Sequence, residues 1–124
     1  MMQDWAYEIR FIGALSFTLA IEILVLWSVL RLWMKQPKET LPLSVILTAG
    51  FFATAATLPF VWFIFPFVFR TYLPYVVISE SFAVFAEMFL YMCCLRLKPL
   101  PALGVSLLCN SASFFAGEVL MLFL

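Results

Sequence analysis

The chain has 124 residues, of which 66% are hydrophobic and only 11% are charged; basic and acidic residues balance at seven each, and there is no histidine. Soluble domains carry about 25% charged residues, so a water-facing globular surface is excluded. The lack of histidine removes the usual haem and zinc ligand and the commonest general base. We therefore predict neither an enzyme nor a cofactor and leave the question of a metal open.

Four long apolar stretches make up most of the sequence. A transmembrane helix needs about 20 apolar residues, whereas a spanning strand alternates polar and apolar residues over about 10. The stretches are continuous, which predicts an all-α integral membrane protein, an antiparallel bundle of about four transmembrane helices forming one domain over residues 1–124. The predicted spans are about 11–33, 41–66, 73–95 and 101–124.

Two spans have features that affect their ends. The first follows Asp4 and Glu8 rather than the basic region of a secretory signal, so we expect it to remain as a membrane anchor. The second is too long for one straight span and contains Pro59 and Pro66. Since proline breaks or kinks a helix, we expect an end or a kink near Pro59, with the break lying between Pro59 and Pro66.

Basic residues cluster between the first and second spans and between the third and fourth. With four crossings these two loops share one side of the membrane, and lysine and arginine favour the cytoplasmic side. The sequence thus predicts a multi-pass protein of the cell membrane, in bacterial terms the inner membrane, with both termini outside the cytoplasm. The five residues on the cytoplasmic side are Arg31, Lys35, Lys38, Arg96 and Lys98.

The three cysteines, Cys93, Cys94 and Cys109, lie in apolar helical sequence without C-x-x-C spacing. Their odd number and their surroundings favour small buried hydrophobic residues over a redox pair.

Four glutamates interrupt the apolar spans: Glu22 in the first, Glu80 and Glu87 in the third, and Glu118 in the fourth. A charged side chain at the centre of a spanning helix costs about 2.5 to 3.5 kcal/mol, so these groups cannot all be ionised and face lipid. Glu80 and Glu87 are seven residues apart and share a helix face, together with Ala83, Tyr91 and Cys94.

Further polar residues accompany the glutamates. Thr18 precedes Glu22 by one helical turn. Counted along the spans, Glu22, Glu87 and Asn110 lie near the midplane. The fourth span is predicted to carry one broad face of small and polar residues, comprising Ser106, Asn110, Ser111, Ser113, Gly117 and Glu118.

No lysine or arginine lies mid-span, so the carboxyl groups have no cation to pair with inside the chain. Three interpretations stay open. The groups could form a neutral hydrogen-bonded network that specifies helix packing, they could line a proton or cation pathway, or they could pair with a basic helix of another subunit.

The polar residues of the last half of the chain resemble those of small four-helix bacterial inner-membrane proteins with an Asn-Pro step, paired helix glutamates and an Asn-x-x-Ser-x3-Gly helix. This chain departs from that pattern at Leu58, which precedes Pro59 where the pattern has asparagine. The resemblance implies the four-helix architecture. It implies no function, because the group has no assigned activity. The matching motifs are Thr57-Leu58-Pro59, Glu80-x6-Glu87 and Ser106-x3-Asn110-x2-Ser113-x3-Gly117.

Small multidrug transporters offer an analogy of design, since they are four-helix chains of similar size with a glutamate in the first helix. The additional glutamates and the interrupted second span of this chain do not match them.

Two functions compete. The first is an oligomeric proton- or cation-linked transporter or channel that uses the buried glutamates, since neutral and charged carboxyl groups bind different ligands. The alternative is a non-catalytic accessory subunit of a larger membrane complex. Either function implies a lipid bilayer and a homo-oligomer or larger complex as partners, and no nucleic acid.

Overall fold

The computed structural model describes residues 5–123, and every regular element within that range is helical. The last residue of the predicted fourth span, at position 124, lies outside the described part. In chain order the elements are α1 (Ala6–Ser28), which continues into a π-helical turn (Val29–Trp33), α2 (Leu43–Phe63), a short α3 (Phe65–Val68), α4 (Tyr72–Leu95) and α5 (Pro99–Leu122).

Four helical segments in the described range are long and apolar enough to cross a membrane, with mean hydropathies between 1.5 and 2.0. The shortest have 24 residues, or about 36 Å at 1.5 Å per residue, against about 30 Å of hydrocarbon. The predictions of an all-helical chain and of four such helices are confirmed. The segments are Ala6–Trp33, Leu43–Val68, Tyr72–Leu95 and Pro99–Leu122.

The two basic breaks in the sequence end their helices in the same way. Lys35 follows the π-helical turn with φ of 53°, and Arg96 follows α4 with φ of 55°. A left-handed residue commonly closes a helix at this position, although glycine usually supplies it. Pro99 then opens α5, where its missing N–H removes no hydrogen bond.

The second long helix breaks beyond its first proline, between Pro59 and Pro66. Pro59 lies inside α2, and the helix ends four residues later at Phe63. The backbone breaks at Ile64, and Pro66 lies in the first turn of α3. Proline is tolerated in a first turn, so the second proline starts the new helix rather than interrupting an existing one.

The four long helices form a ring in which α2 contacts α1 and α4, and α5 contacts α4 and α1. Close approach of α1 and α2 depends on Gly50, because a Cβ atom there would lie 2.6 Å from Ile23 Cγ1.

The two ends of the ring differ in packing. One continuous apolar cluster joins the end of α1, the start of α2, the end of α4 and the start of α5, and we call it the packed half. Its buried members are Leu26, Leu30, Leu41, Ile46, Ala49, Ala53, Tyr91, Leu95, Ala102, Val105 and Cys109.

The opposite end, which we call the loose half, comprises residues 6–21 of α1, 58–63 of α2, 72–78 of α4 and 111–122 of α5. None of these residues is buried. Rings replace the aliphatic core in and beside this half: Phe11 lies 4.8 Å from Phe63 between ring centroids, and Phe82 lies 5.3 Å from Phe60 and 5.2 Å from Phe65.

Candidate functional site: a buried carboxyl pair

Glu22 lies inside the bundle near the boundary between the packed and loose halves, with only 2% of its surface exposed. Thr54 Oγ1 of α2 donates to Glu22 Oε2 at 2.7 Å, and Ser113 Oγ of α5 donates to Oε1 at 3.1 Å. The thiol of Cys109 lies 3.8 Å from the Glu22 backbone carbonyl. Side chains from two other helices therefore satisfy both oxygens of one carboxyl group.

Glu87 of α4 is 1% exposed and lies across the ring from α1. The Tyr91 hydroxyl donates to Glu87 Oε1 at 3.3 Å, and the Asn110 side chain lies beside this carboxyl. Thr57 Oγ1 lies 3.4 Å from Glu87 Oε2 and 2.9 Å from the Ala53 carbonyl, so two acceptors compete for its one hydrogen.

The carboxyl groups of Glu22 and Glu87 lie close enough for their charges to interact. Two ionised carboxylates repel each other, so a proton on either group stabilises this arrangement. Around the two carboxyl groups lie Thr54 and Thr57 of α2, Tyr91 of α4 and Ser113 of α5. All four long helices thus contribute to one site built around two acidic groups.

Asn110 is held in place by its own helix and by α4. Its Nδ2 donates to the Ser106 carbonyl at 2.9 Å, and the Ser106 hydroxyl donates to the Val84 carbonyl at 2.7 Å. These bonds fix how α5 faces α4. Ser106 is therefore a structural hydroxyl that contacts neither carboxyl group.

Three other residues predicted for the site lie around the pair rather than in it. Thr18 is half-buried one turn from Glu22 and has no side-chain hydrogen bond within the described residues. Glu80 is partly buried two turns from Glu87, near enough to Glu22 for their charges to interact. Glu118 is exposed on the outer side of α5, and no described side chain hydrogen-bonds to it.

The polar face predicted for α5 is divided between inside and outside. Ser106 and Asn110 are buried and Ser113 is half-buried, whereas Ser111 and Glu118 are exposed. Helix α5 is rotated so that Asn110 faces Glu87. The adjacent stripe, which carries Ser111 and Glu118, therefore faces outward. Two cysteines also differ from expectation: Cys109 is buried, but Cys93 and Cys94 are exposed, so Cys94 does not share the buried stripe of Glu87.

Sequence reasoning missed Thr54, Thr57 and Cys109. A signal for the threonines was present, because Gly50, Ala53, Thr54 and Thr57 recur at helical spacing and form a narrow face of small residues in α2. All four are buried. No comparable signal marks Cys109, which is an ordinary small core residue by composition.

Basic side chains lie away from the pair. Arg31 NH1 donates to the Gln36 carbonyl at 2.9 Å, and the remaining lysines and arginines are exposed at helix ends or loops. Within residues 5–123, no group of three His, Cys, Asp or Glu side chains could hold a metal ion. The oxygens at the pair come from two carboxyls, hydroxyls and an amide, a set that can hold a proton or a small hard cation.

Comparison with known proteins yields no relative from which a family could be assigned. No protein-family model matches the chain, and no curated protein or solved structure is significantly similar to it. The resemblance to small bacterial inner-membrane proteins therefore stays a prediction.

Proposed function

We propose that this chain is a multi-pass membrane protein of the cell membrane, an antiparallel four-helix bundle, in which the Glu22–Glu87 pair binds and releases a proton or small cation during transport. The observation that carries the proposal is the convergence of four helices on two buried carboxyl groups with no basic side chain beside them. A packing network alone could use neutral hydroxyls and amides, without the cost of burying two acidic groups.

The membrane orientation is proposed from charge. Five of the seven basic residues lie in the two connections at the packed end, residues 34–42 and 96–98, or in the turns that flank them. The positive-inside rule places that end in the cytoplasm and both termini outside. The loose half then faces the outside, and the apolar cluster separates the carboxyl pair from the cytoplasm.

The chemistry of the pair provides coupling between two ligands. With a proton on either group, the pair has a single negative charge and needs no other cation. If that proton leaves, two negative charges remain in apolar surroundings, and a small cation held by the same oxygens would compensate the second charge. Because proton and cation compete for one set of oxygens, binding of either changes the affinity for the other.

A transport pathway also needs walls that one chain does not supply. The packed half is closed by its own side chains, and the loose half has no buried residue to enclose a route. We therefore propose a homo-oligomer in which the loose half is completed by a second copy. A monodisperse monomer in mild detergent and in liposomes would contradict this part of the proposal.

The function is tested by ion and proton flux into liposomes containing purified protein. We expect flux in the native protein, and flux at the level of empty liposomes in Glu22→Gln and Glu87→Gln. Each substitution keeps the size of the side chain and one acceptor oxygen but removes the exchangeable proton. Glu118→Gln is the matched control, since it changes the same chemical group on the outer surface, and we expect it to retain flux.

Loss of flux in Glu118→Gln equal to that in Glu22→Gln would place the functional carboxyl elsewhere. Absence of flux in the native protein, across cation gradients and pH, would favour the accessory-subunit alternative. One observation supports that alternative independently: Glu118 is exposed on an apolar helix, and no basic side chain among residues 5–123 forms an ion pair with it. The accessory-subunit alternative predicts that the chain copurifies with a partner that has a basic membrane helix, and that the Glu118→Gln variant loses this partner.

A further inference from the structure

The outer part of α5 is held less firmly than the corresponding ends of the other long helices. From residue 114 to residue 122, no hydrogen bond or ring contact joins α5 to another described helix, and the one ring pair of this stretch is formed by the adjacent Phe114 and Phe115. Gly117 has open space where a Cβ would lie, with nothing within 4 Å. Ser113 is the last residue of α5 with a side-chain bond to a neighbouring helix.

Tyrosine hydroxyls fasten the other three helices at this end. The last carbonyls of α2 have no N–H partner in their own helix, and Pro66 has no N–H to offer. Tyr7 of α1 donates to the Trp62 carbonyl, and Tyr75 of α4 donates to the Val61 carbonyl at 2.8 Å. Helices α1, α2 and α4 are thus tied together, whereas α5 is not part of this arrangement.

Ser113 has one hydroxyl hydrogen and two acceptors at the same distance. Glu22 Oε1 and the Asn110 backbone carbonyl both lie 3.1 Å from Ser113 Oγ. The first bond joins α5 to α1, and the second lies within α5. Rotation of one hydroxyl therefore makes or breaks the outermost polar link between α5 and the bundle. A negative charge on Glu22 favours the orientation in which Ser113 donates to Glu22.

We propose that the outer part of α5, residues 114–122, is a gate to the carboxyl pair and that Ser113 is its latch on Glu22. When a proton or cation neutralises Glu22, the Ser113 hydroxyl turns to the Asn110 carbonyl and α5 swings away. The titratable groups that face Glu22 are Glu87 and Cys109, with Tyr91 and Glu80 nearby. This inference rests on the proposed function for its purpose, but its geometry is tested without measuring transport.

The test measures water access to the site by cysteine labelling. The protein is prepared with Cys93→Ser, Cys94→Ser and Cys109→Ala, and a reporter is introduced as Ala83→Cys. Ala83 is buried between Glu80 and Glu87 on α4, so it is reached only when the loose half opens. Proteoliposomes are treated with a membrane-impermeant thiol reagent, and the labelling rate is followed by mass spectrometry.

We expect Ser113→Ala to raise the labelling rate at Ala83→Cys by about three- to ten-fold, the range for loss of one hydrogen bond. Ser113→Thr, which keeps the hydroxyl, should restore the original rate. In a Glu22→Leu background, which lacks the acceptor, Ser113→Ala should have no effect. A reporter at Ala49→Cys in the packed half should remain unlabelled in every variant.

Ser106→Ala is the matched control, because it removes another α5 hydroxyl that bonds to α4 but not to a carboxyl group. An equal rise in Ser106→Ala and Ser113→Ala would mean that α5 is loosened generally, and the latch would be refuted. An unchanged rate in Ser113→Ala, or no labelling of Ala83→Cys in any variant with a native-like size-exclusion profile, would also overturn the proposal. If labelling depends on Ser113 as expected but the native protein shows no ion flux, the gate is supported and the proposed transport function is rejected.

Discussion

The packed and loose halves of the bundle are built from equally apolar sequence but are held together differently. In the packed half, interlocked aliphatic side chains such as Leu26, Leu30 and Ile46 are completely buried. In the loose half, aromatic rings and two tyrosine hydroxyls make the contacts, and no side chain is enclosed. Apolar composition therefore indicates that a segment can enter a membrane, but it does not indicate how tightly the segment packs.

The carboxyl pair lies near the boundary between these halves. Tyr91 and Cys109, on the packed side, are fully buried, and Ser113, on the loose side, is half-buried. A site at such a boundary can have rigid support on one side and movement on the other. The following predictions test whether the difference between the halves is real in energy as well as in geometry.

The largest effect is expected from shortening a leucine in the packed half. Leu26→Ala removes a completely buried side chain and leaves a cavity that rigid neighbours cannot fill, which typically costs about 3 to 5 kcal/mol. Leu15→Ala, on the loose part of the same helix, should cost under about 1 kcal/mol because its side chain is already partly exposed. Unfolding by sodium dodecyl sulphate in mixed micelles measures the free energy of unfolding of both variants. Equal losses of this free energy in the two variants would refute the division into halves.

The sequence was sufficient for the four long helices because their length and apolar character fix what they can be. It was insufficient for helix rotation. Asn110 and Glu118 are both polar residues of α5, and one is buried while the other is exposed. Contacts with other helices decide which stripe of a nearly uniform apolar helix faces inward. In α5 these contacts are those of Ser106 with Val84 and of Asn110 with Glu87.

The sequence left the break in α2 anywhere from Pro59 to Pro66, and its position at Ile64 is set by contacts for a similar reason. Pro59 has no N–H for the carbonyl of Ala55, but the helix continues past it to Phe63. Tyr7 and Tyr75, far away in the sequence, satisfy the carbonyls that the later break exposes. Tertiary partners of this kind decide where a helix ends, and no local pattern around Pro59 contains them.

An intermediate effect is expected at the one glycine that allows two helices to touch. Gly50→Ala would place a Cβ 2.6 Å from Ile23 Cγ1, so either the Ile23 side chain or the two helices must shift, at a cost of about 1 to 3 kcal/mol. Gly117→Ala in the loose half meets no atom within 4 Å and should be neutral or stabilising by up to about 1 kcal/mol. The same denaturation assay applies, and destabilisation at position 117 would show that this half is packed in the assembled protein.

The smallest effect is expected from the tyrosine hydroxyls. Tyr7→Phe and Tyr75→Phe keep the rings but leave the carbonyls of Trp62 and Val61 without their donors, at about 1 kcal/mol each. Because these bonds fasten only the end of α2, amide exchange should rise locally, from about residue 61 to residue 69, while exchange in the packed half stays unchanged. Hydrogen exchange with mass spectrometry distinguishes the two regions. A rise in both regions would mean that the halves unfold as one cooperative unit, and the loose half could then not open by itself to admit a ligand to Glu22.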